Sequence, residues 1–287
     1  APGGRGGRPD RGPPRGGRDQ PRRQSGRGDA PARPAPPKGL GGEQVEGRQA
    51  VRELLIAGRR RVRDIWLAEG TDESEVLADI LELAGELRVT VRSVSRSALE
   101  AEARSEAPQG VLAHADTIPE AELDTLAERT GPAGDPPFLL CLDSITDPGN
   151  LGALLRTAEC AGVTGVIVPR HRAAHVTPTV AKAAAGAVEH LPMALVSGLP
   201  AALARLRDRG VWVVGLDADG DTSLFGLNVA AEPVAIVLGA EGTGLSRLTR
   251  ERCDVVASIP LRGALGSLNV AAAAALACFE VARSRLA

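Results

Sequence analysis

The sequence predicts an α/β protein whose larger part is built on a parallel sheet. Three observations carry that expectation. Continuous apolar runs recur after Phe138, at 138–142, 165–168, 211–216, 234–238 and 255–259. Helical patterns separate several of them, at 151–161, 179–187 and 199–208. Gly-bearing polar segments follow three of the runs and lead into helices. Strands apolar on both faces, alternating with helices, belong to a parallel sheet covered on both sides. In such sheets ligands bind beyond the carboxyl ends of the strands, so the polar segments should hold the site.

The elements follow in chain order. Residues 1–40 are dominated by Arg, Gly and Pro, nine of each through position 38. Such a segment cannot bury enough apolar surface to offset its ordering entropy, and disorder is expected. Its nine Arg and Lys38 against three Asp give +7, leaving −9 for the rest of a chain whose total is −2. A basic tail on an acidic body fits either an arm for a polyanion such as RNA or a passive solubilising tail. A small α/β unit is expected over 41–115. Val51, Leu54 and Leu55 predict a helix at 46–57 that stops at Gly58. Strands are expected at 62–67, 89–94 and 111–113, with an amphipathic helix at 74–87. Residues 116–136, with Gly131, Pro132, Gly134 and Pro136, read as a linker containing a short helix. The parallel-sheet domain then spans 137–287.

At 287 residues and 43% apolar, the chain has room for one or two well-filled domains. Aromatics make up only 2% and Tyr is absent, which argues against base stacking on aromatic platforms. Arg supplies nearly all the positive charge, which suits bidentate phosphate recognition. Cys141, Cys160, Cys253 and Cys278 form no CxxC pair and lie in apolar settings. Buried free thiols in a reducing compartment are expected. With no 18-residue apolar run and no apolar signal segment, no membrane contact and a cytoplasmic location are expected.

Three segments carry polar residues at strand ends. In the first, 143–158, Asp147-Pro148-Gly149 forces a turn and Asn150 is expected to cap the next helix. Arg156 lies nearly two turns into that otherwise apolar helix and needs a partner, either a salt bridge that pins the helix or a ligand. The second, 237–246, reads Val-Leu-Gly-Ala-Glu-Gly-Thr-Gly-Leu-Ser. It lacks GKS/GKT and GxGxxG, and Glu241 would repel a pyrophosphate, so a neutral or cationic ligand fits better than a nucleotide phosphate. A tight structural turn is the plainer alternative. The third, 259–269, runs from Ile259-Pro260 through a Gly-rich loop to Ser267-Leu268-Asn269, where an Ala-rich helix begins. Capping alone would account for Ser267 and Asn269. His114, His171, His175 and His190 show no metal-ligand spacing, and no metal is expected. No nucleophile elbow is present.

Taken together, the three segments resemble the ordered motifs of the SpoU/TrmH family of RNA 2′-O-ribose methyltransferases, of the SPOUT class. Asp147 to Gly152 with Arg156 looks like the first motif, Gly239 to Leu245 the second, and Ile259-Pro260 through Asn269-Val270 the third. The unit opening with Glu46-Gly47-Arg48-Gln49-Ala50-Val51 is similar to the L30e-like substrate-binding domain of the family's ribosomal-RNA branch. The resemblance implies S-adenosyl-L-methionine as cofactor, a deep trefoil knot in the C-terminal domain, and a homodimer formed through that domain, for which helix 270–285 is a candidate element. It implies donor contacts at Leu216, Gly239, Gly244, Ile259 and Leu268. It also implies catalytic roles for Asn150, Arg156, Glu241, Ser267 and Asn269 in placing ribose and phosphate. Many relatives carry Ser directly after the Asn-Val of the third motif, where this chain has Ala271. The expected reaction is methylation of a ribose 2′-hydroxyl in structured RNA, most plainly a guanosine of 23S ribosomal RNA. Transfer-RNA methylation and an antibiotic-resistance ribosomal enzyme are the alternatives within the family. A non-catalytic ribosome-assembly factor is the alternative from another class. Arg59, Arg60, Arg61 and Arg63 are a second candidate RNA contact, with a solvated turn as the alternative reading.

Overall fold

A computed structural model describes residues 39–171 and 175–286. The expectations for the basic tail through Lys38 lie outside the described residues.

The chain builds two sheets. The first comprises β1 (Gln44–Glu46), β2 (Val62–Ala68), β3 (Thr90–Val94) and β4 (Val111–Ala115), ordered β1-β4-β2-β3. β4 runs antiparallel to β1 and β2, whereas β2 and β3 are parallel. Helix α1 (Arg48–Ala57) ends where Gly58 turns left-handed, at φ 58°. Helix α2 (Glu75–Glu86) starts at Ser74, whose side chain accepts from the Leu77 N–H. Both pack over one core containing Val51, Leu54, Leu55, Ile65 and Ile80. A short α3 (Arg96–Glu102) precedes β4.

Two polar residues of β1, Gln44 and Glu46, are buried. Glu46 is fully buried and accepts from the Arg104 and Ser105 N–H groups at 2.7 and 3.0 Å, from the Ser105 hydroxyl and from Gln44 Nε2. A buried carboxylate is tolerable only with such a set of donors.

The second sheet has seven strands, all parallel: β5 (Phe138–Leu142), β6 (Gly165–Pro169), β7 (Met193–Val196), β8 (Trp212–Leu216), β9 (Thr222–Ser223), β10 (Val234–Leu238) and β11 (Val255–Ser258). Their order is β7-β6-β5-β10-β8-β11-β9. Central strands β5, β6 and β10 are buried at every position, the pattern that marks helices on both faces. On one face lie α5 (Pro148–Cys160), α6 (Pro178–Ala183) and α9 (Val270–Arg285). The other carries α4 (Leu123–Glu128) and α7 (Leu199–Asp208), with α8 (Arg247–Arg250) beside α7. Ridges of small residues let α5 and α6 close on one another: a Cβ at Gly152 would lie 2.4 Å from that of Ala183.

Several expectations need correction. Leu40, assigned to the disordered tail, is buried at 3% exposure, and its carbonyl accepts from the Val176 N–H. Within 116–136, Ile118, Leu123 and Leu126 are buried, and Leu123 and Leu126 belong to the core under the large sheet. Cys160 is exposed, at the last turn of α5; Cys141 and Cys278 are buried and Cys253 partly so. Within the basic cluster at 59–63, Arg60 is drawn inside, whereas Arg59, Arg61 and Arg63 are exposed. Arg60 binds Glu189 through two nitrogens, at 2.5 and 2.9 Å, with both side chains almost wholly buried. Arg59 donates to the Glu189 carbonyl and Arg63 pairs with Asp116. Since Glu189 follows α6, Arg59 and Arg60 join the small sheet to the large one. His190 adds a 2.9 Å contact to Glu53 of α1.

Candidate active site

The three polar segments meet at the carboxyl ends of β5, β8, β10 and β11. The helix after β5 begins one turn earlier than expected. Asp147 is its cap, accepting the Asn150 N–H at 2.7 Å, and Pro148 occupies the first helical position. Asn150 is therefore not the cap, and its side-chain amide is free for other work. Its Nδ2 donates to Glu241 Oε2 at 3.1 Å, and its Oδ1 accepts from Asn269 Nδ2 at 3.0 Å. Asn269 does cap α9, its Oδ1 taking the Ala271 N–H at 2.9 Å. One hydrogen-bonded chain, Asn269 to Asn150 to Glu241, thus links all three segments.

The loop after β10 folds back on itself. Ala240 and Gly244 form an antiparallel bridge, and the Gly244 N–H donates to the Ala240 carbonyl at 2.9 Å. This presses backbone onto Gly239, where a Cβ would stand 2.1 Å from the Gly244 carbonyl carbon. Only glycine fits there. Asp143, at the end of β5, holds the far side of the loop by accepting the Ser246 N–H at 2.9 Å.

These loops enclose a cavity of about 330 Å³. Leu216, Gly239, Gly244, Ile259 and Leu268 line it together with Glu241 and Ser267. Every residue expected to touch a donor therefore lies on one wall system. Asn150 and Asn269 stand just behind it and connect through Glu241. Arg156 lies apart, exposed on α5. Among the described residues it makes no ion pair, so the helix-pinning salt bridge is not found. Larger hollows exist, including one of about 710 Å³ at Arg48, Ser74, Arg96 and Gln109, but no residue of the three segments lines them.

Sequence reasoning passed over Asp143, Asp217 and Arg250. Asp217 directly follows β8 and lines the cavity, and Arg250 Nη1 pairs with its Oδ1 at 3.0 Å. An Asp directly after an apolar strand was the available signal. No group of three His, Cys, Asp or Glu suited to a metal occurs among the described residues. No described helix is long and apolar enough to cross a membrane. Burial pushes the Cys278 thiol up to about 12 and Cys253 to about 11, and moves Cys141 further in the same direction. The three are poor nucleophiles at neutral pH.

A parallel α/β sheet with its site at the strand ends, built from three crossing loops, defines a class, and comparison with known proteins names it. A family model described as the SpoU rRNA Methylase family matches residues 137–279. One described as RNA 2′-O ribose methyltransferase substrate binding matches residues 44–121. The 23S rRNA (guanosine-2′-O-)-methyltransferase RlmB of Pseudomonas syringae pv. tomato is 42% identical over 248 residues, 85% of this chain and 96% of that protein. The protein of the same name from Pseudomonas aeruginosa is 42% identical over 246 residues, 85% of this chain and 97% of its own. Among solved structures, the SpoU methyltransferase AviRb from Streptomyces viridochromogenes in complex with AdoMet superimposes with a TM-score of 0.71 at 28% identity, covering 85% of this chain and 90% of its own. The chain belongs to the SpoU rRNA methylase family.

Proposed function

We propose that this protein transfers a methyl group from S-adenosyl-L-methionine to the ribose 2′-hydroxyl of a guanosine in 23S ribosomal RNA. The hydrogen-bonded chain from Asn269 through Asn150 to Glu241 is the observation that carries the reading. It ties a cavity of cofactor size to residues of all three polar segments. The names of the relatives supply the RNA and the nucleotide.

The residues present fit the cofactor. Small and apolar side chains leave backbone exposed along the cavity, and the Gly239 cradle admits no Cβ. A volume near 330 Å³ lies at the lower end for sites that enclose a small organic ligand. Gly239, Gly244, Leu216, Ile259 and Leu268 would hold the donor, largely through backbone groups. When bound, it supplies a methyl already activated on a sulfonium. Catalysis is then chiefly positioning. Asn150 and Asn269, locked to each other, would orient the ribose, and Ser267 would take a ribose or phosphate oxygen. Glu241 fixes the Asn150 amide so that its remaining donor has one direction. Arg156, whose guanidinium offers donors and no acceptor, would stabilise charge growing on the attacking oxygen.

The same reading extends to architecture. Strand β11 lies outside β8, yet α9 returns to pack on α5 and β10. The 259–269 segment must cross the ends of β8 and β10, which supports a trefoil-knotted arrangement. The small sheet with α1 and α2 would be an L30e-like RNA-binding domain over 41–115, joined through 116–136 to the methyltransferase domain of 137–287. Helix α9 leaves Leu276 and Phe279 exposed, a face suited to a homodimer. A cytoplasmic location follows from the substrate.

The test is incubation of the protein with labelled donor and ribosomal RNA, then mapping of protection from alkaline cleavage. Protection at one nucleotide is expected. Label found on a base, with no protected ribose, would refute the chemistry.

A further inference from the structure

The cavity has an unbalanced charge. Its lining includes Asp217, Asp219 and Glu241 and no Lys, Arg or His. Two of these carboxylates are open or already engaged: Asp219 is exposed, and Glu241 binds Asn150. Asp217 differs. Its side chain is 15% exposed and held firmly by one oxygen. Oδ1 accepts from Arg250 Nη1 at 3.0 Å and from the Asp219 N–H at 3.1 Å. Arg250 is anchored in turn, donating through Nη2 to the Asp219 carbonyl at 3.0 Å. Oδ2 faces the opposite way, across the mouth of the glycine loop. A Cβ built on Gly244 would lie 3.1 Å from it. The pair is thus polarised, with the carboxylate on the cavity wall and the guanidinium behind it, outside the lining.

We infer that Asp217 is a specificity residue that distinguishes the sulfonium donor from its neutral-sulfur product by charge. The inference rests on the methyl-donor reading of the cavity. Transfer removes the positive charge from sulfur while leaving the adenosine and amino-acid parts unchanged. A fixed negative group on the cavity wall therefore acts on one member of the pair more than on the other. Asp217 directly follows β8, outside the three polar segments, which is why its role is not visible in them. The consequence is turnover: a site that prefers the charged form releases the spent one.

The experiment is calorimetric titration of the full-length protein and of Asp217→Asn with S-adenosylmethionine and S-adenosylhomocysteine. Asparagine keeps an acceptor for Arg250 and the volume of the side chain. Affinity for the donor should fall about tenfold and affinity for the product less than about threefold. In steady state, product inhibition should become correspondingly stronger relative to the donor KM. Asp217→Glu, which keeps the charge, should retain the wild-type ratio of the two affinities. Equal losses for both ligands would place Asp217 on a group they share and overturn the inference, as would no loss for either. If Asp217→Asn does not fold, Asp217→Ser is read by the same ratio. Failure of the wild-type protein to bind the donor at all would refute the parent reading of the cavity, a different result from an unchanged ratio.

Discussion

Replacing Arg60 by Ala tests the joint between the two sheets most directly. Arg60 and Glu189 are only 3% and 2% exposed at their side chains, and the pair is two-pronged, at 2.5 and 2.9 Å. The remaining nitrogen, Nη1, donates to the carbonyls of Gly42 and Asp116. Removing the guanidinium therefore leaves a buried carboxylate without its cation and two carbonyls without a donor. Breaking a buried pair in this way costs about 3–5 kcal/mol. For a protein of this size each kcal/mol lowers Tm by about 2–4 °C, so a fall of about 6–20 °C is expected in a calorimetric melt. Arg60→Met combined with Glu189→Leu should recover most of the loss, because a paired ion is weak net stabilisation once its desolvation is counted. The affinity of the folded Arg60→Ala protein for RNA should change little. A Tm within about 2 °C of wild type, accompanied by weakened RNA binding, would refute the structural role and restore the RNA-contact reading.

Four further outcomes are expected. Gly239→Ala should abolish donor binding by calorimetry, since its Cβ would fall 2.1 Å from the Gly244 carbonyl carbon; retained binding would show that the loop can open. Arg156→Ala should lower kcat by about 10²–10³ while leaving RNA affinity within a few fold, a split expected of charge stabilisation in the transition state; unchanged turnover would remove Arg156 from the chemistry. Deleting residues 1–38, with their net +7, should weaken RNA binding and flatten its dependence on salt. Extending that deletion through Leu40 should also lower Tm, because Leu40 is buried; equal melting of the two truncations would refute its role in the core.

The fold was legible where local pattern and tertiary demand agree. Strands β5 and β10 and helix α7 have the expected limits, because runs such as 138–142 and 234–238 are apolar throughout and bounded by turn residues. Strand β1 was not legible. Its Gln44 and Glu46 are polar residues buried by partners about sixty positions away, and no local signal announces such partners. Strand β7 is four residues long, and α3 and α8 are too short for periodicity to show. Arg60 misled for a related reason. It reads as surface beside Arg59, Arg61 and Arg63 unless one knows that Glu189, some 130 residues on, closes over it.

The candidate site shows the same division at finer grain. The family resemblance carried by the three segments named five residues that line the cavity, while the capping reading of Asn150 did not hold. Both Asp147 and Asn150 are good capping residues, and local sequence offers both. Pro148 decides between them: its fixed φ and missing N–H suit the first helical position, so the cap must be the residue before it. Once Asp147 takes the backbone N–H of Asn150, the Asn150 side chain can accept from Asn269 and donate to Glu241 at the same time. A capping Asn turns its oxygen to the backbone, as Asn269 does toward the Ala271 N–H. Local helix chemistry three residues upstream thus frees the amide that joins the three loops. It follows that Asp147→Ala should loosen the site as well as cost the helix about 1 kcal/mol. A variant that loses that stability yet keeps full turnover would separate the cap from the chain of amides it sets free.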